Sequence, residues 1–299
     1  MTALHILTGT EDFRARPVVR RIGVRDLKDA LAGGIDDFMA MPSHAAFLCL
    51  IYPLIGLLLG WLTFGRELFS LLYPLVSGFA LLGPFAAIVL YELSRQRERG
   101  LAVDLTSAFG VLDSPSLGAI AVLGLLLLTI FLIWLAVAQA IYVATFGDAP
   151  MPSITTFLER VFTTPEGWWL IVVGNAAGFL FALLVLSISV ISFPLLLDRD
   201  VGAVEGVRTS LRAVRENPMT MAIWGLIVAV SLALGSLPFL VGLAVVMPVL
   251  GHSTWHLYRK VVEPGPGPRQ DPPRPPKTQQ RYAAQFPAAL FAGEIRKPR

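Results

Sequence analysis

One cysteine in 299 residues, Cys49, leaves no disulfide framework and no thiolate metal cluster. Charge is scarce as well: Asp, Glu, Lys and Arg make up 15% of the chain, where a soluble domain carries about 25%. With 55% hydrophobic residues and a mean hydropathy of +0.67, this deficit excludes an ordinary water-soluble enzyme. It also excludes overall disorder, which needs low hydrophobicity and high net charge. Catalytic signatures are missing too. There is no HExxH, GxSxG, P-loop, dinucleotide fingerprint or CxxCH haem attachment site. The chain reads as an integral membrane protein that is not an enzyme, with no cofactor and no nucleic-acid partner.

What is present in abundance is apolar runs. Crossing ~30 Å of hydrocarbon takes about 20 residues. Six runs qualify: His44–Phe64, Leu68–Leu93, Leu117–Phe146, Trp168–Leu197, Met219–Gly235 and Leu237–Leu257. The last two are one run split at Gly235-Ser236-Leu237-Pro238, because Gly followed by Pro is a natural helix break. A five-span arrangement holds only if the Met219–Gly235 piece is re-entrant. The expected fold is therefore all-α: a polytopic bundle of six transmembrane helices in three hairpins, with short amphipathic interfacial helices. Residues 1–43 form a cytoplasmic arm, 44–258 the transmembrane domain and 259–299 a disordered Pro/Gly-rich tail. The arm has no apolar core of a signal peptide, so the first run is expected to do the targeting itself.

Basic residues orient the bundle. Of 24 Lys and Arg, all but Arg66 and Arg160 fall in the arm, in loops 94–116 and 198–218, or in the tail. The positive-inside rule places those four segments, and both termini, in the cytoplasm. Trp168 and Trp169 open the fourth run at the outer interface, and Trp255 with Tyr258 closes the sixth at the inner one.

Each hairpin follows an amphipathic segment ending in proline: Asp26–Pro42, Val103–Pro115 and Val204–Pro218. In the first, Leu27, Leu31, Ile35 and Phe38 share a face, with Lys28, Asp29, Asp36 and Asp37 on others. In the third, Val204, Val207, Leu211 and Val214 alternate with Glu205, Arg208, Arg212 and Arg215. Such helices suit the inner headgroup plane, basic side toward anionic lipid. They read equally well as a threefold internal repeat or as ordinary linkers. In the tail, Tyr282, Phe286 and Phe291 are either a docking element or part of an unstructured end.

The central thirds of the runs hold no Asp, Glu, Lys or Arg, which counts against a proton-coupled pump. Gln139, Asn175, Ser77, Ser187, Ser189, Ser192 and Ser231 are the polar groups within them. Gly56 with Gly60, and Gly174 with Gly178, are spaced for close helix packing, with Asn175 able to bond across. Pro84, Pro194 and Pro248 lie near the cytoplasmic ends of the even-numbered runs, where each removes a helical hydrogen bond and bends the chain. Asp198 and His252 follow four residues after their prolines, and Glu92 and His256 eight after theirs. Bent helices would turn Glu92, Asp198, His252 and His256 into one cytoplasm-facing cleft. The plainer reading is that these residues mark where each helix meets water. His44, His252 and His256 share one membrane level, which suits either a metal or haem site or simple interfacial comfort.

The pattern Asp26-Leu27, Ala30-Leu31, Gly34-Ile35-Asp36-Asp37-Phe38 and Pro42, followed by Phe47 through Gly56, resembles a bacterial family. Gly83-Pro84, Tyr91-Glu92-Leu93-Ser94-Arg95 and Pro248 with Trp255-His256 fit the same family. It is the group of predicted integral membrane proteins catalogued as domain-of-unknown-function family 2189, and the likeness covers residues 20–260. The resemblance implies a multi-pass bacterial membrane protein without an established activity. A cytochrome oxidase label attached to some members finds no support as chemistry here: a haem–copper subunit needs about a dozen spans and six metal-binding histidines, against His 4 in this chain.

Three functions are therefore open. The first is a non-enzymatic accessory or scaffold of a membrane complex, in contact with anionic lipid and with a membrane-protein partner. The second is a permease or channel lined by Gln139, Asn175 and the serines. The third is a redox accessory binding metal or haem.

Overall fold

The structure is a computed structural model that describes residues 3–8, 17–41, 69–101, 103, 111–112, 114–147, 153–238 and 240–264. These are 84% helical, and no strand occurs among them. The helices are α1 (Ala3–Thr8), α2 (Val24–Ala40), α3 (Phe69–Phe79), α4 (Gly83–Ala86), α5 (Ile88–Glu98), α6 (Leu117–Phe146), α7 (Ile154–Thr163), α8 (Pro165–Ser189), α9 (Ser192–Asp198), α10 (Gly202–Glu216), α11 (Pro218–Ser236) and α12 (Leu243–Val261). Four stretches are long and apolar enough to cross a membrane: Leu72–Glu98, Leu117–Phe146, Pro165–Asp198 and Pro218–Ser236. The run His44–Phe64, with Gly56, Gly60 and His44, lies outside the described residues, as do residues 104–110 and 113 of the second amphipathic segment and the tail beyond residue 264.

Two of the three prolines expected to bend helices sit beside breaks. A 3-10 turn, Ala80–Leu82, interrupts the second run just before Pro84, and a turn at Val190 and Ile191 separates α8 from α9 ahead of Pro194. At the second break the Ile191 N–H bonds to the Ser210 hydroxyl of α10 at 3.2 Å, so a side chain replaces the lost helical partner. α12 instead runs unbroken through Pro248. The split at Gly235 is present: α11 ends at Ser236, and a turn leads into α12.

Large side chains need small neighbours where helices cross closely. Trp134 of α6 lies between Gly78 of α3 and Gly178 of α8. A Cβ on Gly78 would stand 2.5 Å from the indole Cδ1, and one on Gly178 3.2 Å from its Cη2. The indole N–H then reaches the Pro74 carbonyl at 2.9 Å. Gly174 meets nothing within 4 Å, so the expected packing pair reduces to Gly178. Its neighbour Asn175 accepts from the Tyr73 hydroxyl at 2.8 Å and donates to the Ile171 carbonyl, joining α8 to α3.

The interior is concentrated at the end where the basic residues gather. Leu93, Ile191, Phe193, Leu195, Leu196, Trp224, Trp255, Leu257 and Tyr258 are all buried there. Toward the other end α8 exposes Trp168, Trp169, Val172, Phe179 and Leu180, and α6 exposes Leu125, Leu132 and Ile133. Apolar surface on that scale is stable in lipid and not in water.

The N-terminal arm is stitched onto this basic end. Its extended residues pair with the exit of the last helix through Arg20 N–H to the Val261 carbonyl at 2.7 Å and Glu263 N–H to the Val18 carbonyl at 3.0 Å. Asn217, between α10 and α11, accepts from the Ile22 N–H at 2.7 Å and donates to the Arg20 carbonyl at 3.1 Å. α2 then packs along α12, and the sequence reading of its buried face needs correcting. Leu27, Ala30, Gly34 and Asp37 are the buried residues, whereas Ile35 is 48% exposed. The reason is steric. A Cβ on Gly34 would fall 2.6 Å from the Ser253 backbone nitrogen, so the helices meet where a side chain is missing. α10 behaves alike: it buries Ala203, Gly206, Thr209, Ser210 and Ala213, and leaves Val204 exposed.

Candidate functional site

Four helices bring their polar residues together at the basic end: α2, α5, α9 and α12. Asp37 of α2 is the hub. Its carboxylate accepts from the Ser94 hydroxyl of α5 at 2.5 Å and from His256 Nε2 of α12 at 2.9 Å, and it also pairs with Arg97. Burial pushes the Asp37 carboxyl up, but hydrogen bonds from His256, Ser94 and Arg97 outweigh it and hold the group below its ordinary 3.8. A hydroxyl has one proton. With that of Ser94 given to Asp37, His252 Nδ1, 2.7 Å from Ser94 Oγ, must be the donor of that contact. His252 Nε2 is buried with no hydrogen-bond partner among the described residues.

A second network lies beside the first. Glu92, fully buried, pairs with Arg95 at 2.7 Å and accepts from Gln96 at 3.0 Å. Arg95 also donates to the Leu197 carbonyl at 2.7 Å, next to Asp198. Asp198 accepts from the Tyr258 hydroxyl at 2.8 Å, with Arg99, Arg199 and Arg259 around it at 3.7 to 3.8 Å. Glu98 accepts from the Trp255 indole at 3.0 Å and from Arg259 at 2.9 Å.

Of the four residues expected in a cleft, His252 and His256 are joined through Ser94 and Asp37. Glu92 and Asp198 instead take arginines and Tyr258 as partners. Three are turned into the protein, Glu92 and His252 at 0% exposed and Asp198 at 2%, while His256 stays partly exposed. Burial of so many charges is tolerable because each is paired. Ser94, Arg97, Arg99, Tyr258 and the hub Asp37 were not singled out as site residues from sequence. A signal for Asp37 existed in Gly33-Gly34, since two glycines on a helix mark a close approach of another backbone. Among the described residues no three His, Cys, Asp or Glu side chains form a metal-binding group, and His44 lies outside them. Of the serines considered as a pathway lining, Ser77, Ser187 and Ser189 bond within their own helices, to the Tyr73, Leu183 and Val185 carbonyls, and Ser192 of α9 bonds back across the break to the Ile188 carbonyl of α8.

An all-helical body with a paired polar layer at one end and bare apolar helices beyond it defines an integral membrane protein. Residues 72–198 match the family described as Predicted integral membrane protein (DUF2189); Gly83-Pro84 and Tyr91 to Arg95 fall inside that match, while the quoted segments 26–56 and 248–256 lie outside it. No curated protein and no solved structure matches the chain.

Proposed function

We propose that this is a multi-pass protein of the bacterial inner membrane that acts without catalysis, as an accessory or scaffold of a membrane complex. Six apolar runs enter the membrane as three hairpins, and both termini lie in the cytoplasm. The observation that carries the reading is the pairing of the buried carboxylates of the polar layer across helices. Asp37 of the arm is committed to Ser94 of α5 and His256 of α12, and Asp198 of α9 to Tyr258 of α12, which makes the layer a lock between the arm and the bundle. Support for a scaffold over a permease comes from Ser187 and Ser189, whose hydroxyls are spent on their own helix. Exposed Arg21, Arg25, Lys28, Arg208 and Arg215 give the cytoplasmic face its affinity for anionic lipid.

Purification of the full chain from native membranes in mild detergent tests the role. A partner recovered reproducibly in defined proportion is the expected result. A stable monomer with no recurring companion would overturn it.

A further inference from the structure

We propose that the α11–α12 hairpin does not cross the membrane: it enters from the basic side and ends among the acyl chains of the adjoining leaflet. This rests on the membrane-embedded reading above and adds a depth to it.

The first observation is one of level. The Tyr258–Asp198 hydrogen bond, 2.8 Å long, fixes α12 against the end of α9. From Asp198 back to the exposed Trp168 is thirty residues, carried by α9 and α8 across the turn at Val190 and Ile191, or up to about 45 Å at 1.5 Å per residue. From Tyr258 back to Gly242 is sixteen, or about 24 Å. The hairpin therefore stops short of the level that α8 reaches by up to about 20 Å. Part of its length is also spent in the polar layer. His252 to Arg259 lie against α2, whose exposed Lys28, Asp29 and Asp36 mark that level as aqueous or headgroup. From His252 to Gly242 only about 15 Å remains, half of the ~30 Å hydrocarbon thickness.

The second observation is the chemistry of the tip. Leu237-Pro238-Phe239-Leu240-Val241-Gly242 has no charged or hydrogen-bonding side chain, and Leu237 is 77% and Val241 62% exposed. A turn in water has no need to satisfy its own backbone, but a turn in hydrocarbon does. Here the N–H groups of Leu237, Leu240, Val241, Leu243 and Ala244 donate to the carbonyls of Leu234, Ser236, Pro238, Leu240 and Val241. Pro238 has no N–H to satisfy. The Ser236 hydroxyl turns back to the Leu232 carbonyl at 2.8 Å. Close approach of Gly235 and Gly242, where a Cβ on Gly242 would lie 2.7 Å from the Gly235 carbonyl oxygen, keeps the turn tight enough for this. The exposed apolar side chains of Leu237 and Val241, over these internally bonded N–H groups, fit acyl chains.

Site-directed spin labelling of the full-length protein in liposomes tests this. In a Cys49→Ser background, labels go on Leu237→Cys and Val241→Cys at the tip, on Leu180→Cys in the middle of α8, and on Trp169→Cys at its far end. Collision rates with oxygen and with a water-soluble nickel complex then give depths. The tip labels should be oxygen-accessible and nickel-inaccessible, up to about 20 Å nearer the basic side than the Trp169 label. Nickel accessibility at the tip like that at Trp169 would show a full crossing and overturn the proposal. Inaccessibility to both reagents would show a protein-covered tip and overturn it as well. Nickel accessibility at Leu180 would remove the membrane-embedded reading itself, a separate failure.

Discussion

Asp37 and His256 meet at 2.9 Å although 219 positions separate them, and that contact ties the amphipathic helix of the arm to the last helix of the bundle. Around it, Gly33 and Gly34 let α2 and α12 approach closely, and Lys260 donates to Asp29 at 2.8 Å further along the same contact.

Replacing Asp37 with Ala leaves Ser94, His256 and Arg97 without their acceptor. The substitution should destabilise the detergent-solubilised protein by about 2–3 kcal/mol, as expected for breaking a buried, charge-assisted cluster whose cation is partly solvated. Thermal unfolding followed by circular dichroism reads this. An unchanged midpoint would show that the hub contributes nothing.

The same cluster sets an acid limit. Asp37 titrates below its ordinary 3.8 in the folded protein. Its contribution is therefore complete above that ordinary value and is lost as pH falls through the lowered folded value. Protection of the arm from proteolysis should hold at neutral and mildly acidic pH and fall below about pH 4. The Asp37→Ala protein should lack this acid-dependent step.

Two glycines on comparable helices should respond oppositely. Gly34→Ala would drive a methyl against the Ser253 backbone, 2.6 Å from its nitrogen and 2.8 Å from its Cα, and should cost about 1–3 kcal/mol or more because backbone cannot give way cheaply. Gly174→Ala meets open space and should be neutral or stabilising by up to about 1 kcal/mol from helix propensity. Equal effects in thermal unfolding would contradict the close α2–α12 contact.

These predictions mark the limit of what periodicity reveals. The i, i+4 spacing of His252 and His256 was legible in the sequence, as were four of the six apolar runs and the break at Gly235-Ser236. The buried face of α2 was not. A helical-period reading follows bulky residues, and Leu27, Leu31, Ile35 and Phe38 formed an obvious stripe. The contact instead centres on Gly34, whose contribution is the absence of a side chain, and it carries Asp37 inside with it. Ser94 and Arg97 fell into the site for a similar reason: what buries them is a helix distant in sequence. The prolines carried mixed information. Pro84 and Pro194 stand beside breaks, while α12 continues through Pro248.

Tyr258 offers a local probe of the second network. Tyr258→Phe removes the donor at 2.8 Å from a carboxylate that is 2% exposed and should cost about 1–2 kcal/mol, the usual penalty for leaving a buried acceptor short of a partner. Loss at Arg259→Ala as well, without additivity in the double variant, is the expected sign that both act on Asp198. Full additivity in the unfolding midpoints would show that they do not share it.

Orientation is the central proposal, because the arm, the polar layer and the basic loops gather at one end of the bundle and the proposal puts that end in the cytoplasm. Reporter fusions in the bacterial host measure it directly. A fusion after Arg97 should report a cytoplasmic location and one after Arg160 a periplasmic one, following the placement of all but two of the Lys and Arg residues on one face. A periplasmic signal from the Arg97 fusion would contradict the orientation.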